Sequence, residues 1–369
     1  MNYMPLLQFR SSRIFRGAPI YYEQVRGISY GINPLDFLSL NFPPLCNYCC
    51  DFCLASGTIN NSTISLNKIK KNFLTFNQYT NIIDKAKSLG ARVIEISGEG
   101  EPTLPMFRPH LYNIIDQATK NNIHTVIYTN GFWLDKDLLE FLKARDTSLV
   151  LSVKYMNPRK YNKAVGVSNA WKKVKRNIIM VCRILGGYTK ENKAMVYRLA
   201  ISSTILDDNY RDNLRLRQFC KTQKILFHLS TLIPHGKEEK TTIDFVKQNC
   251  LSKKLSFSSI IVANSSVKEI GFPVCGTFYY GLGINYDGQV LFDAHADDTK
   301  GIIGNIKKIG LIEAIKRQRK MRDSFYKKGG NSYCPLRDFS YERFVNDCKK
   351  RDKACLGCSA VCRNRISSV

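Results

Sequence analysis

The sequence predicts an α/β protein in which strands and helices alternate, followed by a smaller cysteine-rich region. Three observations predict it. Apolar runs of strand length recur from about residue 33, at 36–42, 92–97, 124–129, 148–154, 195–203 and 225–231. Amphipathic stretches separate them, near 68–89, 107–121, 135–144, 158–185 and 209–222, with Gly90 and Asn122 marking helix ends. That alternation is the pattern of parallel strands joined by crossover helices. Finally, cysteines gather in two places, a loop near residue 50 and the tail beyond 275.

The first strand runs directly into Pro43-Pro-Leu-Cys46-Asn-Tyr-Cys49-Cys50-Asp-Phe52-Cys53. Cys46, Cys50 and Cys53 have the spacing C-x3-C-x2-C, three thiols offered from one short loop. Iron–sulfur clusters are held by cysteine thiolates, and three of them leave the fourth iron of a cubane open to a small molecule. Cys49 allows a rival count of two C-x2-C pairs, which points to zinc. Those pairs abut with no loop between them, so a tetrahedral site would be strained.

The cysteine loop, with Phe52 before its last cysteine, resembles that of the radical S-adenosylmethionine (SAM) enzymes. The resemblance implies a partial (β/α)6 TIM-like barrel of the radical SAM type and a SAM-binding [4Fe–4S] cluster held by Cys46, Cys50 and Cys53. It puts Phe52 near the adenine of SAM and leaves Cys49 a bystander. In α/β barrels chemistry sits at the C-terminal ends of the strands, where this loop falls.

The second strand ends in Gly98-Glu-Gly100-Glu101-Pro102. This is similar to the family's G-G-E-P element, with Glu99 replacing its first glycine. The likeness implies that Gly100, Glu101 and Pro102 hold the methionine end of SAM; glycine admits a close main-chain approach. The third strand ends in Thr129-Asn130-Gly131, like the T-N-G run of many relatives, and the fourth in Ser152-Val-Lys154. Asn130, Ser152 and Lys154 are thereby further candidates for cofactor contact, with Ser202 and Thr204 on the fifth strand. Asn-Gly is also a turn signal, and Ser or Thr at a strand end often caps the next helix. The five histidines form no ligand spacing.

Beyond a polar linker come Cys275, Cys334, Cys348, Cys355, Cys358 and Cys362. Alternating apolar residues around Asp287-Gly288 predict a β-hairpin, and a basic amphipathic helix follows at about 309–327. The set resembles the SPASM extension of radical SAM enzymes, whose cysteines bind auxiliary [4Fe–4S] clusters. Asp293 stands where a cysteine is expected there, and six thiols exceed one four-iron cluster but fall short of two. One auxiliary cluster, or two completed by other groups, are both open, as is zinc. The domains expected are an N-terminal arm (1–32), the barrel (33–235), a linker (236–272) and a SPASM-like domain (273–369).

Composition narrows the class. Hydrophobic residues make up 44% of 369, mean hydropathy is −0.23, and no apolar run of membrane-spanning length appears. The N-terminal stretch lacks a secretory signal pattern, so thirteen cysteines argue for reduced thiols in a cytoplasm rather than a disulfide scaffold. The net charge is +26, and residues 300–369 hold 18 Lys or Arg against 6 Asp or Glu. Such a patch attracts nucleic acid, acidic peptide or anionic surfaces, yet it is also what a solvated helix face looks like.

The resemblance implies reductive cleavage of SAM to a 5′-deoxyadenosyl radical that abstracts hydrogen from substrate, with a reductant such as ferredoxin or flavodoxin. SPASM relatives point first to a peptide or protein substrate, in a maturase-like oxidation or cross-linking. The roughly 32 residues before the barrel are too few for a separate leader-binding domain, so a small molecule such as a sugar or cofactor precursor is the alternative. RNA modification, or a non-enzymatic iron–sulfur or zinc protein binding nucleic acid, are further alternatives resting on charge.

Overall fold

The computed structural model describes residues 13–18, 21–28, 33–50, 52–53, 66–98, 100–204, 206, 208–230, 260–261, 281–291 and 302–327. Its strands are β1 (Arg13–Phe15), β2 (Phe37–Phe42), β3 (Val93–Gly98), β4 (His124–Thr129), β5 (Ser148–Ser152), β6 (Thr189–Glu191), β7 (Ala194–Tyr197), β8 (Leu199–Thr204), β9 (Leu226–Ser230), β10 (Ile260–Ile261), β11 (Gly281–Asn285), β12 (Gln289–Leu291) and β13 (Ile302–Asn305). The helices are α1 (Leu66–Asn72), α2 (Phe76–Ser88), α3 (Arg108–Lys120), α4 (Lys136–Ala144), α5 (Pro158–Val165), α6 (Ala170–Leu185), α7 (Tyr210–Thr222) and α8 (Ile306–Lys327).

One sheet carries the fold, in the order β10-β9-β8-β5-β4-β3-β2-β11-β12-β13. From β10 to β11 every pairing is parallel; β12 and β13 return antiparallel. The six strands expected for the barrel are therefore all present and consecutive. The hairpin at Asp287-Gly288 also forms, with Gly288 at φ +90° in its turn. Its first strand extends the same sheet, pairing Gly283 with Ser39 and Asn285 with Asn41.

Three expected elements are each divided in two. The first helical stretch breaks at Phe73–Thr75, where Thr75 and Gln78 form a capping box that starts α2. The fourth breaks at Gly166, left-handed at φ +65°, and Asn169 at φ +59°. The fifth strand breaks at Arg198, where the chain leaves the small β1-β7-β6 sheet and joins β5. Helix α8 is likewise interrupted at Gly310 (φ +69°).

Strand parity sorts the core into two layers. Leu38, Ile94, Ile127, Leu149 and Leu199 face the helices, packing with residues such as Ile83, Ile114, Leu138 and Val181. Phe37, Val93, Val126, Val150 and Ala200 face the other way and pack with Ile14, Tyr21, Tyr22 and Val25 of the N-terminal arm. The arm thus covers the sheet face opposite the helices, at the strands' N-terminal halves. Further along the same face come Ser39, Asn41, Ser97 and Asn285, joined by hydrogen bonds of 3.1–3.5 Å. The floor is apolar and the upper wall is polar.

Candidate functional site

The cysteine loop leaves β2 and is pinned at both sides. Glu101 donates its N–H to Leu45 O (2.8 Å), and Cys49 donates to Val165 O (2.9 Å) at the end of α5. Gly100 explains why the loop lies so close. A Cβ built there would meet Pro43 O at 2.1 Å and Leu45 O at 2.3 Å, so no other residue fits. Gly166, left-handed at φ +65°, also lies close under the loop: a Cβ built there would meet Cys49 Cβ at 3.1 Å.

Glu101 is buried at the end of β3 and accepts four hydrogen bonds. Thr103 N (3.0 Å), Thr103 Oγ1 (2.5 Å) and Thr129 Oγ1 (2.6 Å) reach Oε1, and Asn130 N (2.7 Å) reaches Oε2. Burial pushes its carboxyl above the usual carboxylate range, against the pull of these donors. The carboxyl group ties β3 to the end of β4 and fixes the main chain of Asn130. From there Asn130 Nδ2 donates to Asn47 Oδ1 (3.0 Å) and lies 3.7 Å from Cys46 Sγ.

A small cavity of about 40 Å³ opens between the cysteine loop and the ends of β4 and β5. Cys50, Phe52, Asn130, Ser152 and Lys154 line it together with Tyr48, Tyr155 and Tyr161. Lys154 donates to Ser152 Oγ and lies 5.4 Å from the Phe52 ring centroid. Burial lowers its ammonium to about 8, and the Cys50 and Cys53 sulfurs oppose that shift. Tyr48 and Tyr161 are 3.3 Å apart at their hydroxyls, and burial raises both phenols.

Of the residues singled out by sequence, the structure brings Cys50, Phe52, Asn130, Ser152 and Lys154 to one cavity. Gly100, Glu101 and Pro102 lie behind its wall, with Cys46 and Cys53 in the loop beside it. Ser202 hydrogen-bonds His228 Nδ1 at 3.1 Å on the same face. Cys275, Cys334, Cys348, Cys355, Cys358, Cys362, Asp293 and Glu99 lie outside the described residues. Sequence reasoning missed Tyr48, Tyr155 and Tyr161: Tyr48 lies within the cysteine motif and Tyr155 follows Lys154, while Tyr161 on α5 belongs to no motif.

The donor set can be tested against a thiolate-held cluster at Cys46. Burial, with Glu101 next in weight, pushes its thiol up to about 12, while Tyr48 N (3.4 Å) and Asn130 Nδ2 (3.7 Å) direct N–H groups at the sulfur. A half-buried sulfur with two N–H groups directed at it suits a thiolate whose charge is balanced by a metal. Among the described residues no three His, Cys, Asp or Glu side chains meet at a single-ion point; a cubane would instead take one thiolate at each of three separate irons. The residues present fit the group.

Comparison with known proteins agrees with this geometry. Residues 40–189 match the Radical SAM superfamily. The chain is 24% identical over 237 residues to the GTP 3′,8-cyclase of Pasteurella multocida, covering 64% of this chain and 63% of that protein. It is 29% identical over 158 residues to the GTP 3′,8-cyclase of Haemophilus influenzae, 42% of each. Both matches span less than two thirds of the relative's own length. Among solved structures, native anSMEcpe with bound AdoMet superposes with a TM-score of 0.56 at 15% identity, over 90% of this chain and 96% of that one. Streptococcus suis SuiB bound to precursor peptide SuiA gives 0.52 at 17% identity, over 76% and 64%. These likenesses concern the fold alone. The strand–helix domain of this chain therefore has the radical SAM α/β fold, and residues 40–189 within it are similar in sequence to that superfamily.

Proposed function

We propose that this protein is a radical SAM enzyme acting on a small molecule, of the cofactor-precursor kind and nucleotide in character. The observation that carries the enzyme class is the cavity shared by Cys50, Phe52, Asn130, Ser152 and Lys154 at the strand ends. The small-molecule substrate draws its support from the relatives named GTP 3′,8-cyclase. These favour it over a peptide or protein substrate, the first expectation from sequence.

Cys46, Cys50 and Cys53 would hold the cluster, leaving one iron for SAM. When bound, cluster and SAM supply a 5′-deoxyadenosyl radical that takes hydrogen from substrate. The protein's share is to orient and shield that chemistry. Lys154 and Ser152 offer a cation and a hydroxyl to a carboxylate, and Phe52 offers a ring face to a base. Asn130, held by Glu101 through its own N–H, steadies Cys46. The tail cysteines are proposed to bind one auxiliary [4Fe–4S] cluster, in a SPASM-like arrangement, or two.

The test is anaerobic incubation of reconstituted protein with SAM, dithionite and GTP. We expect 5′-deoxyadenosine together with loss of GTP. Deoxyadenosine without nucleotide turnover would refute the nucleotide substrate, and absence of SAM cleavage would refute the class.

A further inference from the structure

Between Asp146 and Glu191 the chain carries ten Lys or Arg and no Asp or Glu. This stretch contains α5 and α6. On α6, Lys172, Lys175, Arg176 and Arg183 fall on one helical face and are all exposed. Ile179, 39% exposed, sits among them, and Lys163 is exposed on α5. A surface of one charge sign attracts and orients a partner of the opposite sign.

Its position matters as much as its charge. Helix α5 ends against Cys49, through the bond to Val165 O and the close approach of Gly166. The first turn of α6 is fastened on the other side. Lys173 Nζ lies 4.0 Å from the Phe132 ring centroid, and Phe132 packs edge-on against Tyr48 of the cysteine loop at 5.7 Å. Lys173, flanking that face on α6, is therefore separated from the loop proposed to hold the cluster by one side chain, Phe132.

We propose that the α5–α6 face is the docking surface for an acidic one-electron carrier protein, which reduces the cluster through the cysteine loop. This rests on the function proposed above. The step moves one electron: the carrier is oxidised by one, the cluster goes from the 2+ to the 1+ state, and no bond or proton is exchanged. Complementary charge speeds encounter and fixes orientation, and the attraction weakens with salt.

The test uses Lys163→Glu/Lys172→Glu/Arg176→Glu, with a second variant carrying Gln at the same positions in case the first folds poorly. The probe is a flavodoxin. Titrated against protein without cluster, it should bind the Glu variant about tenfold more weakly than wild type at low salt, and wild type should lose the same affinity at 0.5 M salt. With reconstituted enzyme, flavodoxin-driven 5′-deoxyadenosine formation should fall about tenfold, while the dithionite-driven rate stays within about twofold. Unchanged flavodoxin binding and rate would overturn the proposal. So would a variant that loses affinity for an RNA duplex but not for flavodoxin, which would assign the face to nucleic acid. If wild type cleaves no SAM even with dithionite, the proposed function fails, and the binding titration still decides the surface.

Discussion

The three thiols of the cysteine loop should be unequal to the fourth. Changing Cys46, Cys50 or Cys53 to Ala is expected to abolish 5′-deoxyadenosine formation. Cys49→Ala should leave it largely intact, because Cys49 falls outside the C-x3-C-x2-C spacing, is tied to α5 through its N–H and, unlike Cys50, does not line the cavity; dependence on Cys49 in place of Cys50 would reverse the assignment. At the other end of the sheet, His124 is enclosed beneath Gly17, 2.9 Å from Ser148 Oγ. Burial, with Arg16 and Arg198 adding to it, lowers its imidazole to about 3 from an ordinary 6.5. The folded state thus prefers the neutral ring. The stability this contributes is whole above about pH 6.5 and is lost as pH falls towards 3. Denaturant midpoints should drop less between pH 7 and pH 4.5 in His124→Asn than in wild type; equal slopes would show that His124 does not govern the loss. Residues differ in how far sequence exposes them. Asn130, Ser152 and Lys154 were legible because strand ends are where a parallel sheet presents side chains. Tyr155 and Tyr161 were not, since a tyrosine near a helix start looks the same whether it faces a core or a cavity.

At the scale of elements, Glu101 and Gly166 are joints. Glu101→Ala should cost about 3 kcal/mol, since it strips buried donors of a charged acceptor, and should loosen Asn130 and weaken SAM binding in equilibrium titration. Thr103→Val separates the two effects: it removes one hydroxyl donor and should lower stability while changing SAM affinity little. Gly166→Ala forces a left-handed alanine, at about 1–2 kcal/mol, and presses on Cys49. Reconstituted iron per chain should fall along with the denaturation midpoint; a midpoint change with full iron would mean the loop tolerates the push. Strands and helices were largely readable from periodicity, because each buries a face. The breaks at Phe73, Gly166 and Arg198 were not. They depend on a capping box, a helix-ending turn and a change of sheet, where local signals are short. Gly100 was singled out for approach to a ligand, yet the atoms nearest it belong to the protein's own cysteine loop.

On the scale of the whole molecule, the hairpin β11–β12 and helix α8 are built onto the barrel. Arg319 reaches Gly281 O (3.3 Å) at the start of β11 and Pro34 O (3.0 Å) just before β2, so part of the basic helix is engaged in joining these two neighbouring strands. That accounts for some of the charge that sequence alone left open between partner binding and solvation. The tail cysteines are tested by metal content. With Cys46, Cys50 and Cys53 all changed to Ala, anaerobically reconstituted protein should retain about four irons per chain for one auxiliary cluster, or about eight for two. Iron near zero with about one zinc would make the region a structural zinc module.

The apolar floor laid by Ile14, Tyr21, Tyr22 and Val25 has a kinetic meaning. Among the described residues that end of the sheet is filled and the cavity lies beside the cysteine loop, so of two reactants entering there the deeper one should arrive first and depart last. Turnover should then follow a compulsory sequence. Product-inhibition patterns would reveal it, with one product competing against its own substrate and not against the other.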